Sequence, residues 1–322
     1  ETGSIFAISA LAWMLFSPYW GKLSDQLGRK IIVIVGLIGC AVSLILFSSA
    51  LSLGTTGVLL GWKLLAVLIF ARMINGILGS ATRPGAGAWV ADVTNQDQRS
   101  GGFGRLNAGF SAGRIAGPAI AGFLLVISYT LPFYIFSVGL LFITVMLLRQ
   151  PPAELKKEED PVSDLQLLDN RVWPFLVIGI SLGICNAAVV QTSSFYFLDV
   201  IVPSVPNPIA YASVGFMLAA FGSIIGQLLI ADKLRVSPGS LIRYGTLLIA
   251  IALLCISYSK TLNLIYFSFF LFGLGQGTQS TGLAAGISLS VGKHHQGKAN
   301  GFMGMVIPVG HIFSPLIAMP LY

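Results

Sequence analysis

The order of hydrophobic and polar positions divides the chain into long apolar stretches separated by short polar turns. Most of the stretches reach about 20 residues, the length a helix needs to cross a hydrocarbon layer. The pattern predicts ten helical spans, at residues 3–21, 31–50, 63–91, 99–127, 131–149, 173–199, 209–231, 240–258, 262–292 and 296–322. Helices are expected because an open strand in lipid would leave its backbone groups unpaired. Glycines recur at intervals of four, as in Gly109/Gly113/Gly117, Gly179/Gly183, Gly222/Gly226 and Gly282/Gly286. That spacing lets helix backbones approach closely and is read as packing.

Composition agrees with a multi-pass membrane protein. Of the 322 residues, 55% are hydrophobic and 10% charged, against roughly a quarter charged in an average soluble domain. Mean hydropathy is +0.84. The net charge of +7 would suggest nucleic acid in a soluble protein. Here the basic residues sit in alternate loops. Residues 22–30, 92–98, 150–172, 232–239 and 293–298, with their flanks, hold fourteen of the nineteen, while the opposite loops hold two, Lys63 and Lys260. The positive-inside rule puts the basic loops in the cytoplasm, so both chain ends are expected outside. With no initiator Met and no signal-peptide cleavage pattern, the first run is read as a true span. Cys40, Cys185 and Cys255 each stand alone in an apolar run, with no metal or disulfide spacing. They are read as buried filler.

The chain repeats itself. A shift of 197 residues places Gly76 on Gly273, Gly85 on Gly282, Gly104 on Gly301, Gly113 on Gly310 and Pro118 on Pro315. A weaker echo pairs "LSDQL" (23–27) with "IADKL" (230–234). The repeat unit is therefore six spans, and two like-oriented copies are related by an axis along the membrane normal. Five spans lie on each side of 150–172, a proline-bearing stretch of mixed charge read as a cytoplasmic linker. The expected organisation is a helical bundle at 1–149, the linker, and a second bundle at 173–322. On this reading the chain is ten spans of a twelve-span protein, lacking one helix at each end.

At this point the sequence resembles the major facilitator superfamily, and within it the drug:proton antiporter branch that includes the tetracycline-efflux proteins. The loop signature G-x-L-a-D-r-x-G-R-K/R stands here as "GKLSDQLGRK", with Gly21, Leu23, Asp25, Gly28, Arg29 and Lys30 matching. The fourth-helix pattern R-x-x-x-G stands as Arg72 and Gly76. The antiporter signature G-x8-G-x3-G-P-x2-G-G stands as Gly104, Gly113, Gly117, Pro118, Ala121 and Gly122, with Ala121 the one departure. The resemblance implies an all-α fold of two pseudo-symmetric six-helix bundles, with a substrate cavity opened alternately to each side. It also implies export coupled to inward proton flow, and a location in the cell (inner) membrane.

Charged residues near or inside the spans are the functional candidates. Gly28 permits a tight turn, and Asp25 can accept from amides at a helix N-terminus or pair with Arg29. Asp92 is a second partner for Arg29. The resemblance makes Gly21, Asp25, Gly28, Arg29, Lys30 and Asp92 a latch that shuts the cytoplasmic side; the plainer reading is a solvated turn. Arg72, Arg83 and Arg114 lie within spans, where a charge usually faces a cavity or a partner. Arg72 and Arg83, eleven residues apart, are expected on one helix face. The resemblance assigns Arg72 to proton coupling. Arg83 either lines the cavity or extends its head toward water. Arg114 falls on His311 under the 197-residue shift, and an imidazole there can carry a proton or simply hydrogen-bond inside the bundle. Asp25, Asp92, Asp199 and Asp232 all lie near span ends, so no carboxylate is deep in any span. Asn186, Gln191, Gln276 and Gln279 are expected, with Arg83 and Arg114, to line the substrate cavity. Hydrogen bonding between helices is the competing role for the amides. Gly104, Gly113, Gly117 and Pro118 are expected to pack helices.

No enzyme signature is present. "GLGQG" (273–277) follows no strand, and "KHHQGK" (293–298) has no further metal ligand nearby. No cofactor, metal or nucleic acid is expected. The expected partners are a small-molecule substrate, protons and the lipid bilayer. Three functions remain in view: a proton-coupled exporter of small apolar or amphipathic drugs; an exporter of an organic anion such as a siderophore or carboxylate; and a receptor or scaffold on the same fold that transports nothing.

Overall fold

A computed structural model describes the backbone of residues 2–150, 165–197, 208–234 and 236–321. Within these, side chains are described except at 2–7, 114, 115, 118, 119, 122, 123, 194, 195, 208–210, 231–233, 293, 311 and 314–321. Expectations for the side chains of Arg114, Pro118, Asp199, Asp232 and His311 therefore lie outside the described residues.

Helix is the regular structure throughout the described residues. The helices are α1 (Thr2–Leu27), α2 (Arg29–Thr55), α3 (Gly61–Ile74), α4 (Thr82–Val93), α5 (Arg99–Leu125) and α6 (Leu131–Arg149). After the linker come α7 (Trp173–Tyr196), α8 (Pro208–Ile225), α9 (Pro238–Tyr258), α10 (Leu262–Ser290) and α11 (Gln296–Leu321). Together α3 and α4 make the expected third span, interrupted by a π-helical turn at Asn75–Gly79. A second π-helical stretch, Gly226–Lys233, extends α8.

Local chemistry sets the boundaries. Gly28 adopts φ 100°, a conformation costly for any residue with a Cβ, and so ends α1 and starts α2 one residue later. Ser237 caps α9 by accepting from the Ser240 amide at 3.4 Å, with Pro238 in the first turn. Before α7, Arg171 grips Asp169 through two side-chain bonds of 3.0 and 2.6 Å and holds that carboxyl down at about 2. Part of the expected linker lies outside the described residues. Its final stretch is anchored, because Leu165 and Val172 are fully buried among Leu176, Ile287, Ala299 and Phe302.

Among the described residues, six segments are long and apolar enough to cross a membrane: Arg29–Thr55, Gly61–Val93, Leu131–Arg149, Trp173–Ser193, Tyr211–Ile230 and Pro238–Tyr258. The remaining long helices, α1, α5, α10 and α11, carry more glycine and polar side chains. They are also the helices that meet one another across the centre of the molecule, α1 against α11 and α5 against α10. A helix shielded from lipid by its neighbours can be less apolar all round.

Within the first half, α2 packs on α3, α4 and α6, and α1 packs on α3. Within the second, α10 packs on α8 and α9, and α11 on α7. The repeat appears in these contacts. A Cβ on Gly76 would strike Ser9 and Ala12 of α1; one on Gly273, its partner under the 197-residue shift, would strike the Ala219 backbone of α8. Gly222 and Gly226 likewise sit against α10, and Gly179 and Gly183 against Val306 of α11. For these glycines the packing expectation holds.

Candidate transport site: a sealed seam beneath a cavity

The seam between α1 and α11 is built from backbone contact. A Cβ on Gly21 would lie 3.0 Å from the Gly301 Cα and nearer still to Gly297. One turn earlier, Ser17 donates to the Gly301 carbonyl at 2.9 Å and is fully buried. Absence of side chains at these positions lets the two helices touch and excludes water between them.

Charge completes the seam at the end carrying the basic loops. Asp25 accepts from the Gly297 amide at 2.8 Å and from the Lys298 amide at 2.9 Å. These are among the first amides of α11, which have no partner inside their own helix. A carboxylate there also meets the positive end of the helix dipole. Asp25 is paired in turn with Arg29, whose Nε donates to Asp92 at 2.8 Å. The Arg29 side chain is 4% exposed. One guanidinium therefore ties α1, α2 and α4 together and presents a carboxylate to α11. The chain reaches this geometry because Gly28 turns it sharply enough for Arg29 to begin α2 four residues after Asp25.

Lys30 does not take part. Its ammonium donates to the carbonyls of Leu148 and Gln150 and so caps the end of α6 within the first half. One position beyond Arg29, it points about 100° around the helix, away from the seam.

A second polar link crosses the halves nearby. Arg99 donates to the Ser288 hydroxyl at 2.9 Å, and Ser288 donates to Gln296 at 2.6 Å. The Gln296 amide in turn donates to the carbonyl of Ser288 at 2.8 Å, near the end of α10. In the sequence Arg99 stands beside the basic loop 92–98, with nothing to mark it for a role of its own. Its partner stands 189 positions away, and no local pattern announces it.

Above the seam lies a cavity of about 450 Å³ between the halves, within the size range of small-molecule sites. Arg83, Asn186 and Gln276 line it, as expected. The guanidinium carbon of Arg83 stands 4.8 Å from the centre of the Phe110 ring. Asn107, Asn300, Ser223 and Gln227 also line the cavity and were missed. Ser223 and Gln227, one turn apart on the end of α8, share a hydrogen bond of 3.1 Å; the i, i+4 polar spacing was the available signal. At the floor, Gly87 leaves room for the Asn300 side chain, whose Cγ would lie 2.8 Å from a Cβ there.

Four expectations need correction. Gln279 is buried and donates to Thr246 of α9 at 2.8 Å, so it joins helices within the second half. On α10 the cavity face runs through Gln276, Ser280 and Leu283, and Gln279 lies to one side of it. Gln191 is half-buried and is not among the lining residues. It follows Asn186 by five positions, which carries it well around α7. Arg72 and Arg83 do not share a face. The π turn between them shifts the helical phase, so Arg83 reaches the cavity while Arg72 lies near the Cys40 thiol between α2 and α3. Gly109, Gly113 and Gly117, expected to pack helices, meet nothing among the described residues: a Cβ on any of them would have no neighbour within 4 Å. That face of α5 has no partner helix among the described residues, whereas Gly104, nearer the seam, is buried.

The profile of the Major Facilitator Superfamily matches residues 1–315. The chain belongs to this superfamily. It is thus a multi-pass membrane transporter and not an enzyme. The quinolone resistance protein NorA of Staphylococcus aureus (strain MSSA476) is 27% identical over 332 residues, covering 100% of this chain and 81% of NorA. Multidrug resistance protein 1 of Bacillus subtilis (strain 168) is 27% identical over 339 residues, covering 99% and 80%. Among solved superfamily structures, the human organic anion transporter MFSD10 aligns with a TM-score of 0.78 at 20% identity, covering 100% of this chain and 78% of that one. FucP in the outward conformation aligns with a TM-score of 0.79 at 15% identity, covering 99% and 83%. These likenesses establish the fold of two pseudo-symmetric bundles anticipated from the repeat.

Proposed function

We propose that this transporter exports small amphipathic molecules, drugs among them, by alternating access coupled to inward proton flow. One observation carries the reading. A cavity of hydrocarbon with a few polar side chains lies between residues 1–149 and 173–322, and the seam below it is shut by Asp25 on the α11 amides. The basic loops put that seam in the cytoplasm. On this reading the transporter is closed to the inside, with Gly21, Asp25, Gly28, Arg29 and Asp92 as the proposed latch. Relatives named for quinolone and multidrug resistance match nearly the whole chain and support drug-like substrates. Arg72 and His311 are the proposed proton-coupling residues, and the cell membrane the proposed location.

Everted membrane vesicles test this reading. With a proton gradient imposed, adding a transported compound should discharge the gradient in proportion to its uptake. Uptake that persists unchanged when the gradient is collapsed would remove proton coupling. No uptake across a chemically diverse panel would favour the receptor or scaffold reading.

A further inference from the structure

Side-chain amides from several helices line the cavity, and they are not equally engaged. Asn107 donates to Thr281 at 3.5 Å, and Asn300 to the Gln296 carbonyl at 2.8 Å. Gln227 is 3% exposed and lines the cavity, yet its Oε1 has no hydrogen-bond partner among the described residues. Buried polar atoms are nearly always satisfied, and one left unmet is costly. The Gln227 amide nitrogen donates to Ser223 at 3.1 Å. The Ser223 hydroxyl, used there as an acceptor, keeps its own hydrogen to give. Ser223 also lines the cavity, one turn from Gln227 on the same face of the helix. The pair therefore holds one unused acceptor and one unused donor. Turning the amide over exchanges its two atoms. Ser223 then donates to the oxygen, and what is left over is an N–H and a hydroxyl lone pair, again one donor and one acceptor. The last torsion of a glutamine is broad, so either arrangement can be turned to the cavity.

We propose that Ser223 and Gln227 form the subsite that holds a carboxamide or lactam of the substrate. One member of the pair accepts from the substrate N–H, and the other donates to the substrate C=O. A carboxamide carries both complements side by side, whereas a ketone or ester carries the acceptor alone. Hydrocarbon from Phe103, Leu106, Val306 and Ile307 lines the same cavity and suits an apolar body. The proposal rests on the transport reading above and narrows it, from amphipathic molecules in general to those with an amide on an apolar frame.

Two matched probes test it: 2-naphthamide and 2-acetylnaphthalene, which share ring and carbonyl and differ by NH2 against CH3. Binding is measured to the purified protein in nanodiscs, with empty nanodiscs subtracted. The protein should bind the amide more tightly, although the amide costs more to take out of water. That comparison needs no variant, and equal or tighter binding of the ketone would overturn the proposal. In the double variant Ser223→Ala, Gln227→Leu the preference for the amide over the ketone should fall about fivefold or more. Ketone binding that survives there reports that the variant is folded. A preference that survives unchanged would place the amide elsewhere and overturn the proposal. An equal loss for both probes would make the pair structural and overturn it too. Uptake into everted vesicles separates this from the transport reading. The amide bound with preference but never moved keeps the subsite and overturns transport. Both probes moved without preference keep transport and overturn the subsite. A protein that neither binds nor moves either probe loses both.

Discussion

The seam and the cavity are built by the same central helices, yet they treat polarity in opposite ways. At the seam, Arg29 meets two carboxylates, and Asp25 meets that arginine and two helix-terminal amides. In the cavity, the described lining residues other than Arg83 are amides, hydroxyls, glycines and hydrocarbon. Matched charges withdrawn from water make a contact that can hold and release as a unit. A wall of amides, hydroxyls and hydrocarbon around open space leaves room for a small molecule. The difference teaches which polar residues govern movement and which govern choice of cargo.

The largest expected effect comes from breaking the matched side. Arg29→Ala leaves Asp25 and Asp92 without their cation, and removing one member of a buried pair costs roughly 3–5 kcal/mol. The seam should then open more often. With the three native cysteines replaced, a reporter at Asn300→Cys should react much faster with a membrane-impermeant thiol reagent added from the basic side. Unchanged reactivity would mean that the charges merely decorate a seam held by backbone contact.

Gly297→Val tests that backbone contact directly. Its Cβ would press first on the Gly21 backbone carbonyl, and would lie 2.8 Å from the Asp25 carboxylate and 3.0 Å from the Arg29 guanidinium. Crowding of this kind costs about 1–3 kcal/mol, so the same reporter should show a smaller rise. A rise larger than that of Arg29→Ala would reverse the ranking of charge over packing.

The smallest effect is expected in the outer half of α5. Gly113→Ala and Gly117→Ala add a methyl group where nothing stands within 4 Å. Thermal stability should change by under about 0.5 kcal/mol, or rise slightly because alanine is the better helix former. A clear loss of stability would show that this face is packed in a state other than the closed seam seen here.

Particular residues show where sequence reading reached and where it stopped. Gly28 and the pairing of Asp25 with Arg29 were legible, because a turn and an i, i+4 pair are local geometry; Asp92, 63 positions from Arg29, was named as a partner without any local pattern to place it. The glycine matches at 197 residues foretold the duplicated contacts of Gly76 and Gly273. The shared face of Arg72 and Arg83 was misread because one π-helical turn shifts every later residue around the axis. Gln276 and Gln279 read alike as cavity amides, yet three positions along α10 turn the second toward Thr246.

By itself the sequence determined the ten helices, the duplication and the side that bears positive charge. Each follows from short-range periodicity or from the cost of polar groups in lipid, and neither needs knowledge of neighbours. Only the tertiary structure decided that α11 supplies the amides for Asp25, that Arg99 reaches Ser288, and that Arg83 faces the cavity over Phe110. Those depend on which helix lies beside which, and on rotations of a fraction of a turn. Sums of small packing energies over the whole bundle fix such rotations, and no single stretch of sequence carries them.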